Sequence, residues 1–232
     1  MIELYRKTIV CLANSRKPPS GTCVAGREIH AGKFGAWIRP VSARPTRELS
    51  LEERGYRYGR EPRLLDIITL QLARPAPEGH QQENHEIDHD FRWTCSGAVS
   101  WRHLQEAVEH VEGPLWLNGE SSSHGENDRV AEHEAARMTR SLYLVRPGGL
   151  RMLVAAEGAA PLVQRRVRAE FQIAGHSYRL PVTDPPIERA YRFQAEGAYP
   201  VPDALLCVSL GEVFHGYAYK LAAAVIMPGR RR

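Results

Sequence analysis

A chain of 232 residues with 43% hydrophobic and 25% charged residues has the composition of an ordinary globular protein, long enough for one large or two small domains. No apolar stretch reaches the roughly 18 residues of a membrane-spanning helix, and the opening Met1-Ile2-Glu3-Leu4-Tyr5-Arg6-Lys7 lacks the apolar centre of a secretory signal, so a cytoplasmic protein away from membranes is expected. Net charge is only +4 but unevenly spread: residues 1–77 hold 14 Lys+Arg against 7 Asp+Glu, residues 78–140 hold 5 against 13, and residues 141–232 hold 12 against 7.

Two basic segments therefore flank an acidic one, which also contains seven of the ten histidines. Such patches suit a polyanionic partner, although arginine-rich surfaces also serve solubility alone.

The first elements are strands. Thr8-Ile9-Val10-Cys11-Leu12-Ala13 runs into a cationic, breaker-rich loop at 14–21, then come the short apolar runs 22–26 and 34–40. Ser50-Leu51-Glu52-Glu53 has the pattern of a short helix start. The near-continuous apolar run 64–72 predicts a strand covered on both faces. The polar stretch 78–90 reads as a looped excursion, followed by an edge strand at 91–95.

Ser100 is a good N-cap, and Trp101, Leu104, Val108 and Val111 at offsets of three and four predict an amphipathic helix to 111. Residues 116–127 read as a mobile loop, and Asn127 as the cap of a second helix to about 138. From 141 onward the pattern is one of hairpins, 141–146 with 150–156 and 166–173 with 177–182, each joined by a short Gly-containing connection. Runs 205–210 and 217–227 add a strand pair, or a strand and a helix. Strands without βαβ alternation, grouped around a helical middle, predict a mainly β chain of two small barrels. The expected boundaries are 1–114 for the first barrel and its helix, 115–140 for the connection, and 141–228 for the second barrel.

Several stretches together are more specific than any one. Residues 9–17 (IVCLANSRK) with 21–26 (GTCVAG), then Trp37-Ile38-Arg39-Pro40-Val41-Ser42, His80-Gln81-Gln82-Glu83-Asn84, Gly125-Glu126-Asn127-Asp128-Arg129-Val130 and Tyr219-Lys220-Leu221 follow in order. This series resembles the bacterial family of dual-OB-containing domains, over about residues 7–226. The resemblance implies two OB-like barrels in tandem, a non-catalytic nucleic-acid-binding or sensing role, and service in bacterial defence or conflict systems. It brings no catalytic residues and no cofactor.

OB barrels hold single strands with cations on the phosphates and rings against the bases. The first barrel offers Arg16, Lys17, Lys33, Trp37 and Arg39 for this. Trp37 and Ile38 alternate, so one of them faces the core, and the choice between stacking platform and core residue stays open for Trp37. The second barrel offers Arg166, Arg168, Tyr178, Arg179 and Arg192, with Arg165, Tyr191 and Phe193 beside them. Arg166, Arg168 and Glu170 share one strand face, which puts Phe171 on the core side. A phosphate track and a solvated outer face both fit that pattern. Arg230-Arg231-Arg232 would add non-specific cationic affinity.

Three other readings compete for these residues. His85 and His89 with Asp88 would make a metal site, and so a metal-dependent nuclease, only on a helix, and nothing apolar frames one there. Cys11, Cys23 and Cys207 lie in apolar runs where a thiol is inert, and no nucleophile or nucleotide motif occurs, so neither a catalytic residue nor a bound metal is expected. The rival to nucleic-acid binding is a protein-interaction adaptor or oligomerising subunit using the acidic segment 78–140.

Overall fold

The computed structural model describes residues 4–17, 21–56, 59–158, 161 and 163–229. The chain divides into two compact units, one of residues 1–107 with 139–141 and 229–232, the other of residues 108–138 with 142–228. Both are mainly β, as expected.

The first unit contains β1 (Tyr5–Lys17), β2 (Gly21–His30), β3 (Lys33–Val41), α1 (Leu51–Arg54), β4 (Asp66–Pro75), β5 (Asn84–Ile87), β6 (Thr94–Ala98) and α2 (Trp101–Leu104). Its sheet runs β1-β2-β3-β5-β4 and closes through β4 onto β1. All pairs are antiparallel except β3 with β5, whose parallel pairing sets Arg39, Pro40 and Val41 against Asn84, His85 and Glu86. This is the closed five-strand order of an OB fold.

The inward face gathers Ile9, Cys11, Val24, Ile38, Ile68 and Leu70 into the core. β1 bulges between Cys11 and Ala13. β1 and β2 approach so closely there that a Cβ on Gly26 would stand 2.2 Å from the Val10 carbonyl oxygen, leaving room for glycine alone. The helix start at Ser50 is a full capping box: Ser50 Oγ accepts from Glu53 N, and the Glu53 carboxylate accepts from Ser50 N.

Three expectations change in this unit. β4 is not covered on both faces but alternates between buried and half-buried residues, because a small barrel has one inward face. The stretch 78–90 is no solvated loop: it contains β5, and His80, Gln81, Glu83 and Asn84 are buried. The helix from Trp101 keeps its Ser100 cap but ends at Leu104, continuing only as a 3₁₀ turn over Gln105–Ala107. Beyond it, Glu109 N donates to Leu144 O, and the stripe divides, Trp101 and Leu104 staying in the first unit while Val108 and Val111 belong to the second.

That second unit contains β7 (Arg129–Ala131), α3 (Glu132–Ala135), β8 (Leu142–Val145), β9 (Gly148–Glu157), β10 (Gln164–Ile173), β11 (His176–Pro181), α4 (Pro185–Arg192), β12 (Gly197–Pro200), β13 (Leu205–Phe214) and β14 (Tyr217–Ile226). Its strands form two four-stranded sheets, β11-β10-β9-β12 and β7-β14-β13-β8. The expected hairpin of 141–146 with 150–156 is absent. β8 pairs with β13 while β9 pairs with β10 and β12, so the two are one strand interrupted at Arg146-Pro147, where proline has no N–H to continue a ladder.

Counting β8 and β9 as one strand, the order repeats that of the first barrel, with a single parallel bridge from Val182 to Ala222 where the first barrel has three parallel pairs. The β10–β11 hairpin forms as expected, turning through Ala174 and Gly175, both at positive φ. The 217–227 run is a strand. The expected helix from Asn127 gives way to β7 at its start and shrinks to α3, which Ala131 precedes as N-cap. Asn127 is spent elsewhere, its side chain accepting from Gly119 N and donating to Ser177 O. Among the described residues, no helix is long and apolar enough to cross a membrane.

Candidate nucleic-acid interface

In the first barrel the nominated cations are not one cluster. Arg16 and Lys17 lie at the β1–β2 end, opposite Thr22 and Gly21, whereas Lys33 lies at the β2–β3 turn opposite His30. The ten residues of β2 separate them by about 30 Å at roughly 3.3 Å per residue. Between these ends Arg27 faces Trp37 across the strands, its guanidinium 5.9 Å from the ring centroid. Ile38 takes the core position and is buried, so Trp37 stands half-buried on the outer face.

Arg39 must be withdrawn as a phosphate contact. It is only 2% exposed, paired with Glu83 at 3.2 Å and donating to Ser141 Oγ at 2.8 Å. Asn84 Oδ1 lies 3.4 Å away. A strand reading Trp-Ile-Arg-Pro gives no warning that its arginine points inward; the buried Glu83 in the polar stretch is what makes that possible.

In the second barrel Tyr178 must also be withdrawn. It is fully buried, stacked on Phe171 with centroids 5.4 Å apart, and its hydroxyl accepts from Leu115 N at 2.8 Å and Asn118 Nδ2 at 3.1 Å. Burial raises its pKa. Phe171 is on the core side, as its register predicts.

Two of the nominated arginines are neutralised. Arg168 donates twice to the Glu157 carboxylate, at 2.6 and 2.9 Å, and lies 3.4 Å from Asp128. Arg179 donates to Glu170 at 2.9 and 3.1 Å. Burial works against ionisation of Glu170, yet hydrogen bonds from Arg179 and Arg151 hold its carboxyl below the usual range. Guanidiniums already matched with a carboxylate have less left for a phosphate.

Arg166 and Arg192 differ. Both are exposed, and among the described residues neither has an ion pair. Arg189, missed in the sequence, has the same standing one helical turn before Arg192. The signal was present in Asp184-Pro185-Pro186, an N-cap followed by prolines in the first turn, which would have placed Arg189, Arg192 and Phe193 on a helix end. Arg165 reaches the same end, Nη1 donating to Gln194 O at 3.1 Å. Phe193 there is 80% exposed. Arg230, Arg231 and Arg232 lie outside the described residues.

The metal reading loses its geometry. His85 lies on strand β5 with Nδ1 2.6 Å from the Tyr5 hydroxyl, and burial followed by the Lys7 charge lowers its pKa. Asp88, His89 and Asp90 bring ligand atoms within 4.8 Å of one another, but on a turn with His89 and Asp90 exposed. All four cysteines are free, and burial pushes the Cys11 thiol far up.

The most unusual buried group is Lys220, which is fully enclosed. Nζ donates to Leu117 O at 2.6 Å and Asn118 Oδ1 at 2.9 Å, 5.2 Å from the centre of the Tyr178 ring. Burial pushes its amine down to about 7, with Asp128 opposing. Its chemistry is structural: it fastens the 115–128 segment to β14.

No curated protein matches the chain. The solved structure of the tetrameric p202 HIN2 is similar over 96% of this chain and 94% of that one, at 11% identity and a TM-score of 0.35. A family model, the dual OB-containing domain, matches residues 7–225, nearly the whole length, in agreement with the barrel order found in both units. The chain belongs to the dual OB-containing domain family.

Proposed function

We propose that the chain is a non-catalytic nucleic-acid-binding or sensing module. The observation that carries this reading is a contrast within one barrel. Arg151, Arg168 and Arg179 are each matched with a carboxylate, whereas Arg166, Arg189 and Arg192 are exposed with no ion pair among the described residues. Exposed guanidiniums beside an exposed ring, on a fold family built from OB barrels, suit a phosphate backbone with accessible bases. Arg16, Lys17 and Lys33, with Trp37 on the outer face, extend the same chemistry to the first barrel. A place in a bacterial defence system rests on the family resemblance.

The test is fluorescence anisotropy with a labelled single strand of about 32 nucleotides, long enough for two OB folds at roughly 4–16 nucleotides each. Binding is expected at about 50 mM salt and should weaken steeply by about 200 mM. The double variant Arg189→Glu with Arg192→Glu should weaken it and flatten the salt dependence. No binding at the lower salt would refute the reading.

A further inference from the structure

In an OB barrel the outer face of the second and third strands is the natural place for a single strand to lie. In the second unit these strands are β10 and β11, where Arg168 and Arg179 are already matched with carboxylates and the 115–128 segment pairs along the edge of the sheet. Glu126 and Arg179 exchange backbone hydrogen bonds, so the segment occupies the free edge of β11. Asn127 Nδ2 donates to Ser177 O. Asp128 reaches Arg168 and accepts from Ser122 N and Ser122 Oγ at 2.7 and 2.5 Å. Gly125 is forced by this packing, since a Cβ there would stand 1.8 Å from the Asp128 carboxylate.

Lys220 and Tyr178 fasten the beginning of the segment from below through four hydrogen bonds. Breaking these would leave several buried polar groups unsatisfied, at about 1–3 kcal/mol each. The segment is therefore a permanent part of the barrel wall.

The open cationic surface lies elsewhere, where α4 ends against the start of β10. Asp184 caps α4 by accepting from Ile187 N, and Ile187 anchors the helix in the core. This leaves Arg189 and Arg192 in the last turn and Phe193 just beyond it, with Arg165 tied to Gln194 O. Arginine near a helix C-terminus also complements the helix dipole. No such role accounts for Phe193, a ring that packs against nothing buried and is the most exposed large apolar side chain among the described residues.

Building on the nucleic-acid reading, we propose that the second barrel takes its ligand at this α4–β10 corner rather than on β10–β11. An unstacked base of a single strand lies on Phe193, with neighbouring phosphates on Arg189, Arg192 and Arg165. A duplex, whose bases are already stacked, has no face to offer the ring.

The experiment uses the full chain and a labelled single strand. Phe193→Ala should weaken binding by about 5- to 150-fold, the range for one lost base stack, while Phe193→Trp should retain it. A photo-crosslinking phenylalanine analogue at 193 should capture the strand, and the same analogue at 177 on the outer face of β11 should not. An unlabelled duplex should compete poorly. If the wild-type chain binds no oligonucleotide, the nucleic-acid reading itself falls. If it binds but is indifferent to Phe193→Ala, crosslinks from 177, or yields equally to duplex, the corner assignment is overturned while the nucleic-acid reading stands.

Discussion

The two barrels solve one closure problem in different ways. In the first, β1 is a continuous strand of 13 residues that pairs with both β2 and β4, and β3 meets β5 over three residue pairs. In the second, the corresponding strand is broken at Arg146-Pro147 and the parallel seam is a single bridge. The 115–131 stretch makes up the difference, meeting β11 at Arg179 and β14 at Tyr217–Tyr219. Backbone hydrogen bonds close the first barrel, whereas a buried lysine, a buried tyrosine and an aspartate help to close the second. On the outer face of this barrel Arg168 and Arg179 are matched with carboxylates, and the accessible arginines are Arg166 at the start of β10 and Arg189 and Arg192 at the end of α4.

The second barrel is most sensitive at Lys220. Lys220→Met removes both hydrogen bonds to Leu117 O and Asn118 Oδ1, which are only part-buried, and should cost about 1–3 kcal/mol in urea unfolding. Loss below about 1 kcal/mol would mean that the segment does not depend on the lysine. In the first barrel the sensitive point is backbone contact. Gly26→Ala should destabilise by about 1–3 kcal/mol through displacement of β1, with Trp93 fluorescence as the local reporter.

Acidity separates the barrels as well. The Lys220 amine sits at about 7 in the folded state against 10.5 ordinarily, so between these values the unfolded chain holds more protons. Its contribution to stability is therefore present above 10.5 and lost as pH falls toward 7. Cys11 and Tyr56 in the first barrel are raised by burial and act in the opposite sense, removing stability once pH passes their ordinary values of 9.0 and 10.0. Urea midpoints should thus rise from pH 7 to about 9 and then decline, and Lys220→Met should remove the rise. The smallest effect belongs to the surface: Arg179→Ala breaks a partly exposed pair and should cost under about 1 kcal/mol.

The legible and illegible parts of the sequence divide along a physical line. Strands whose inward residues are apolar, such as Ile9 to Leu12 or Phe171 between Glu170 and Gln172, announce themselves. So do caps such as Ser50 and Ser100, because the cap is a local interaction. β5 is hidden because Glu83 before it and Asn84 at its start are polar and buried, and their partners Arg39 and Ser141 are far along the chain. Arg39 and Tyr178 looked like ligand contacts for the same reason: residue type suggests exposure, and only a distant partner explains burial. The expected helices at 101–111 and 127–138 shrank where their residues pair with β8 and β14, a tertiary demand that periodicity does not record. The segment 116–127 resembles any Gly- and Ser-rich loop until Lys220 is seen beneath it.

The most direct measurement is hydrogen–deuterium exchange of the full chain with and without a single-stranded oligonucleotide. Exchange across 115–128 should be slow in both conditions, with new protection at the end of α4 and the start of β10. Fast exchange across 115–128 that becomes slow only when the strand is added would contradict this, placing the ligand on the very segment held here to be a fixed part of the wall.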